Sequence, residues 1–457
     1  MAQSPVNSQL DTILVTANKL NQNRKEAPIA ISILSATTLK KENVTRIDFL
    51  LNKVPGVYMP SIGNEQHMMS IRQPISLKGL YLYLEDGMPI RTSGLFSNNA
   101  LIEINNAFTD HIEIIKGPAS SLYGAEAIGG VVNFFTKAAP TKKAVELANQ
   151  INSLGFKRVE ASIGLPTKKG GWFLNANWGG QKNGPIDYSN YSKKAFSIRH
   201  DFLLNEKWKG FQTLQYIDYY AQMTGSVDSI RFVEQNFKSL QTFTYRQLNA
   251  LRLRQNLEYN WNAYHQSVFN VLYRDNQMDQ NPTYAIASTN NPIKFKGQTN
   301  RNLFHSIVFD FQHILSIPSL HSKIIAGGSF DNTQQNLKAK YIDIIKDSIQ
   351  GKFTSFSYPS KDSLLTNYQT DIQNAAMYIN LLTNLGKYVN MNISMRYDQF
   401  EYLFRNQIIT GTPSSNNYFN QFTPKIGFTY NKNNWGGYLN YSKGFVPPQI
   451  TEMYNAI

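Results

Sequence analysis

The sequence has no cysteine. That excludes a disulfide scaffold, a thiol nucleophile and a thiolate metal site, and it leaves the redox compartment undecided. Charged residues fill only 17% of 457 positions, against an ordinary share of about 25%. No run of roughly 18 apolar residues occurs and mean hydropathy is negative, so a transmembrane helix is not available and a membrane role would need strands. The opening MAQSPVNSQL has neither the basic nor the apolar region of a secretion signal; an exported protein would have had its signal removed or lost. Glycine and proline, 28 and 18, are too few for a fibrous or low-complexity chain. What is abundant is aromatic: 5 Trp, 26 Tyr and 27 Phe make 13% of the chain, too much for a disordered polycation of net charge +14. Something large is packed.

Two textures divide the chain near Pro140. Before it, short apolar segments alternate with turn chemistry. In SATTLKKENVTRIDFLLNKVPG the spacing predicts a helix capped by Ser35 or Thr37, carrying Ile47, Leu50 and Leu51 on one face and ending at Pro55-Gly56. In LYLEDGMPI the strand turns at Asp86-Gly87, a dipeptide that tolerates the positive φ angles of a tight hairpin. From about Ala144 the period becomes two. Val389, Met391, Ile393, Met395 and Tyr397 share one face of a strand, and Asn390, Asn392, Ser394, Arg396 and Asp398 share the other.

The pattern predicts thirteen strands, near 144–152, 157–166, 171–180, 194–204, 209–222, 245–259, 263–276, 302–315, 322–335, 373–385, 388–403, 421–431 and 434–443. Short joints such as PTKKG, NEKWK, NWN and GK alternate with long ones at 181–193, 223–244, 277–301, 336–372 and 404–420. Tight turns on one side and long loops on the other are the rhythm of a transmembrane barrel. A soluble β-sandwich also alternates. Strand length favours the barrel, because several runs reach 11–15 residues, whereas globular strands average about 5–6 and a tilted membrane strand needs about 9–11.

IEIIKGPASSLYGAEAIGGVVNFFTK, 112–137, resembles the end of the plug domain of TonB-dependent outer-membrane receptors. VPGVYMP (54–60), SIRQP (70–74) and LYLEDGMPI (82–90) resemble the family's other plug signatures in order and spacing, with Arg72-Gln73 where Arg-Gly is usual. DTILVTA (11–17) looks like a TonB box, and SKGFVPPQITEMY (442–454) is similar to a segment following a middle strand of the family's barrel. The resemblance implies a mostly β protein: a periplasmic segment at 1–20, a small α+β plug at 21–140 and an antiparallel transmembrane β-barrel from 141 to 457. The family's barrel has 22 strands, so roughly thirteen strands imply a truncated product or a sequence from which the rest is missing.

The resemblance further implies an energy-coupled receptor in the outer membrane of a Gram-negative bacterium, not an enzyme, with no cofactor. Its partners would be the periplasmic domain of TonB, outer-membrane lipid and a small ligand, with ferric siderophore favoured and cobalamin, haem, copper and oligosaccharide open. Asp11, Thr12, Ile13, Leu14, Val15, Thr16 and Ala17 would add a strand to the partner's sheet edge. Ligand contacts would come from plug apices at 61–73 and 91–99, through His67, Met68, Arg72, Arg91, Phe96 and Asn98. An Arg fork suits carboxylate or catecholate oxygens, and the positive net charge favours an anion. Gly56, Asp86, Gly87, Gly117, Pro118, Tyr123, Gly124, Gly129, Gly130 and Asn133 would be structural, since Gly130-Val131 stands where a Walker loop needs Lys and Ser or Thr. No HExxH and no GxSxG occurs, and no dense basic run marks a nucleic-acid surface. Two rivals remain: a passive porin-like or adhesive barrel without energy coupling, and a soluble carbohydrate-binding β protein.

Overall fold

The computed structural model describes residues 14–16, 19–20, 22–76, 78–95, 99–360, 363–408, 413–433 and 435–454. Asp11, Thr12, Ile13, Ala17, Phe96 and Asn98 lie outside the described residues. The N-terminal part is built on a five-stranded sheet of β1 (Ala30–Leu34), β2 (Tyr81–Glu85), β3 (Met88–Pro89), β4 (Thr109–Lys116) and β5 (Gly130–Thr136), in the order β1-β4-β5-β2-β3. Of its four pairings, only β5–β2 is parallel. Both faces of the sheet are apolar, so both are covered. Ile112, Ile114, Val132 and Phe134 pack toward Ile47, Leu50 and Leu51, while Leu82, Leu84, Ile115 and Val131 pack with Leu122, Ile314, Ile325 and Tyr378.

The helix expected over 36–51 is two helices, α1 (Ala36–Glu42) and α2 (Ile47–Leu51). Ser35 caps the first, its Oγ accepting the Thr38 N–H at 3.2 Å. Asn43, at φ 39°, ends it in the left-handed conformation, and extended Arg46 starts the second. The Asp86-Gly87 turn has φ values of 46° and 84°, the sign a two-residue hairpin requires.

The remainder is one antiparallel meander in chain order. Its strands are β6 (Ala144–Ile151), β7 (Phe156–Thr167), β8 (Gly170–Gln181), β9 (Tyr191–Leu203), β10 (Trp208–Gln222), β11 (Tyr245–Asn260), β12 (His265–Asn281), β13 (Lys294–Ile317), β14 (Ser322–Lys346), β15 (Leu364–Asn384), β16 (Val389–Asn406), β17 (Ser415–Lys432) and β18 (Trp435–Ser442). Two short strands, Ala287–Ser288 and Phe353–Ser357, pair at its margin. All thirteen expected strands form.

Three are much longer than the pattern indicated. β13, β14 and β15 have 24, 25 and 21 residues, so the stretches 277–301 and 336–372 are mostly strand rather than loop. Above the apolar band, outward positions become polar, as at Asp275, Gln277 and Asp279 on β12. Ladder hydrogen bonds continue there after the two-faced pattern has gone.

The polarity of this sheet is inverted relative to a soluble core. On β16, Arg396 and Asp398 are 5% and 0% exposed, whereas Met395 and Tyr397 are 44% and 47% exposed. Phe269, Phe309, Phe311, Phe330 and Met377 are exposed in the same way. A sandwich buries its apolar face; here the apolar face points outward and the polar face points in, onto the N-terminal sheet. The wall curves around the N-terminal domain, touching it from β6, where Gln150 donates to Asn43 O at 3.1 Å, to β18, where Asn440 donates to Pro28 O.

Candidate functional site

At the end of the wall bearing the short turns, the N-terminal segment is clasped. Leu14–Val15 pairs antiparallel with Gln22–Asn23. The Glu113 carboxylate accepts from both the N–H and the Oγ of Thr16, at 3.0 and 2.8 Å, and Tyr123 donates its hydroxyl to Thr16 O at 2.8 Å. Burial pushes the Glu113 carboxyl up, against the pull of the two Thr16 hydrogen bonds. Lys19 reaches the wall, pairing with Asp310 at 3.3 Å and donating to Tyr378 at 3.1 Å. Beside it a cavity of about 650 Å³ separates plug from wall, bordered by Lys19, Asp86, His111, Arg254, Glu258 and Asp310.

Further in, inward-facing arginines of the wall bind backbone and carboxylates of the plug. Arg252 pairs with Glu85 at 3.2 Å and donates to Glu103 O at 2.9 Å; Arg254 donates to Glu85 O and Asp86 O at 3.1 and 3.0 Å. Arg274 donates to Pro89 O, Thr92 Oγ1, Ser306 Oγ and Asp331 at 2.6–3.0 Å. Arg199 binds Thr136 Oγ1 at 2.6 Å, and Asn105 donates to Asn175 and Ser197.

At the opposite end, where longer connections leave the wall, the plug hairpin Ser61–His67 abuts strand ends. Lys193 pairs with Glu65 at 2.7 Å, Arg246 donates to Gln66 at 2.8 Å, and Tyr219 donates to Asn64 O. His67 is 1% exposed, its Nδ1 against Glu65 O at 2.9 Å; burial pulls its pKa down to about 4 and neighbouring cations add to the effect, so the ring is neutral at physiological pH. Met68 is half-buried. Arg91 is ion-paired with Glu103, Nε to Oε1 at 2.6 Å. Arg72 is exposed, at φ 55°, with its N–H on Gly56 O. These four are therefore not brought together on one surface.

The turn residues lie where the plug meets itself and the wall. Asp86 accepts from Thr136 N–H and Oγ1 at 2.9 and 2.7 Å, and Asn133 Oδ1 accepts the Gly87 N–H at 3.0 Å. Gly117 donates to Gly129 O, and Pro118 O accepts from Ser442. Gly124 has φ +90°, and a Cβ there would lie 3.0 Å from Arg396 Nη2; at Gly129 and Gly130 a Cβ would strike Tyr81 and Ile115.

Glu126, not singled out in the sequence, is buried at φ 68° among the Gly94 N–H (3.0 Å), Gly79, Gln449 and Tyr402, with Arg91 in its field. Burial pushes its carboxyl up to about 8, and the Gly94 hydrogen bond and Arg91 oppose the rise only partly. Between its unfolded value near 4.5 and 8 the folded state holds the extra proton, so stability falls as pH rises through that window. Thermal melts from pH 5 to 9 are expected to show this decline, and Glu126→Gln to flatten it; an unchanged slope in the variant would refute the assignment.

A polar-lined, apolar-coated wall with a small mixed domain inside it is a plugged transmembrane β-barrel architecture. Residues 23–131 match the TonB-dependent receptor plug domain family, and residues 147–457 match the TonB-dependent receptor-like β-barrel family. The chain belongs to the TonB-dependent receptors. Similar solved structures include the ferric citrate transporter FecA in its unliganded form (TM-score 0.76, 17% identity, covering 94% of this chain and 64% of that one). The ferripyoverdine receptor of Pseudomonas aeruginosa bound to ferripyoverdine gives 0.76, 16%, 95% and 59%, and the ferric yersiniabactin uptake receptor FyuA from Yersinia pestis gives 0.73, 15%, 93% and 66%. The chain thus spans about three-fifths to two-thirds of their lengths, and at these identities the likeness is one of fold.

Proposed function

We propose that the protein acts in the outer membrane of a Gram-negative bacterium as an energy-coupled receptor and transporter for an iron chelate of the ferric siderophore kind. The similar structures are named for ferric citrate, ferripyoverdine and ferric yersiniabactin, which supports the chelate class. The observation that carries the coupling is the clasp on the N-terminal segment. Residues 11–17 contain Thr16, which Glu113 and Tyr123 hold, and are followed by Lys19, which the wall holds, so a pull on 11–17 by the periplasmic domain of TonB bears directly on both plug and wall.

The interface suits such work. Beside shared apolar clusters such as that of Leu82, Leu84, Ile314 and Ile325, plug and wall meet through many hydrogen bonds, each a modest net contribution of about 0.5–1.5 kcal/mol that can be exchanged for water one at a time. The 650 Å³ cavity beside Lys19 gives displaced plug a place to move and water a place to enter. Substrate would bind above the plug, and traction from below would widen the passage along β10–β13.

Capture of the detergent-solubilised protein by the TonB periplasmic domain tests the reading. Capture is expected from the intact chain and is expected to vanish when residues 11–17 are deleted. Capture that survives the deletion, or never occurs, would favour a passive barrel.

A further inference from the structure

Resting on the uptake reading above, we propose that the upper wall carries a subsite for an uncharged, hydroxyl- or amide-bearing portion of the ligand. A cavity of about 360 Å³ opens between the upper parts of β12, β13, β14 and β15, a size typical of small-molecule sites. Its polar lining is made of amides: Gln280, Gln298, Asn300, Asn302 and Gln335, with Tyr284 beside them. Met278 and Leu337 supply apolar surface, and Thr451 closes one side. Among the described residues none that lines it is charged.

The amides are already ordered by one another, which leaves defined groups for a guest. Gln335 Nε2 donates to Asn302 at 2.9 Å, Gln298 donates to Asn300 at 2.9 Å, and Gln280 donates to Tyr284 at 3.1 Å. Gln335 is 2% exposed, and its Oε1 has no partner among the described residues. A buried acceptor without a donor is costly, so it marks a place where a donor from a ligand is favourable. Of the nearby cations, Arg274 is paired with Asp331, and Arg246, which does not itself line the cavity, is held by Gln66 and by Gln280 of the lining. An anion entering this cavity would lose water and meet no cation in the lining itself, whereas a hydroxyl or amide finds both donors and acceptors beside an apolar surface. The sequence-based expectation that positive charge selects an anion therefore does not extend to the lining of this cavity.

The same chemistry is offered by the peptide or hydroxamate backbone of a neutral chelate and by a neutral glycan. Equilibrium dialysis of the full chain in detergent against a neutral ferric trihydroxamate, maltotriose and ferric citrate separates them. One neutral probe is expected to bind with an affinity that changes less than about twofold between low and high salt. Trihydroxamate binding assigns the chelate backbone and maltotriose binding the glycan. Gln335→Leu is expected to weaken that binding about tenfold or more, and Gln298→Ala, at a more open position, to weaken it severalfold with an unchanged melt. Binding of ferric citrate alone, binding that collapses with salt, no binding of either neutral probe, or full affinity in both variants would overturn the proposal. Loss of TonB capture with neutral-probe binding intact would instead defeat the coupling reading and leave this subsite standing.

Discussion

Arg274→Ala is expected to release the plug from the wall, at a cost of about 3–5 kcal/mol, the range for removing one partner of a buried ion pair. Arg274 is almost wholly buried and ties β12 at once to a plug carbonyl, a plug hydroxyl and a carboxylate of β14, through Pro89 O, Thr92 Oγ1 and Asp331. Without it the Asp331 carboxylate keeps only hydroxyl partners among the described residues, Thr92 and Thr333. Denaturant melts and trypsin cleavage within residues 78–95 report the two sides of the effect. Arg405→Ala is the contrast. Its pair with Asp371 is close, at 2.6 Å, but the Arg405 side chain is 44% exposed, so the loss is expected to stay under about 1 kcal/mol. Equal losses in the two variants would show that the wall arginines do not hold the plug.

Phe309→Arg is expected to cost about 2–4 kcal/mol when the protein folds into lipid vesicles, as for a cation on the lipid-facing side near mid-bilayer. Phe309 is exposed on β13, paired across the ladder with Val271 and Phe330, in the middle of the outward apolar band. Gln277→Arg, also outward-facing but beside Asp279 above that band, is expected to change folding by no more than about 1 kcal/mol. If Phe309→Arg were neutral in vesicles, its exposed side would be facing water, and the inside-out reading of the wall would fail.

Both variants depend on a distinction that period-two alternation cannot make. Asn392, Ser394 and Arg396 fall on one side of β16 and Ile393, Met395 and Tyr397 on the other whether the strand belongs to a sandwich or to a barrel. The alternation therefore placed the strand, and strand length with joint rhythm pointed to the bilayer. Where both faces turn polar, above Tyr273 on β12 and around 294–301 on β13, the pattern vanished while the ladder continued, so 277–301 read as a loop. The break between α1 and α2 was equally hidden, because Asn43 ends the helix by adopting a left-handed backbone that no periodicity signals. Arg252 and Arg254 did carry a readable hint: they share parity with Arg246 and Asn256 and so had to face inward together.

The sequence by itself determined the β architecture, the place of the thirteen long wall strands though not the full length of three, and the turn chemistry of the plug, because alternation, Asp-Gly turns and helix caps act over a few residues. Only the tertiary structure decided which face of the wall is inside, which partner each buried charge takes, that Glu126 lies buried, and that Gln335 is buried with its Oε1 unpartnered among the described residues. Arg274 meets residues 182 positions before it and 57 after it, and pairings across such separations follow from how the sheet curves around the plug rather than from any local pattern.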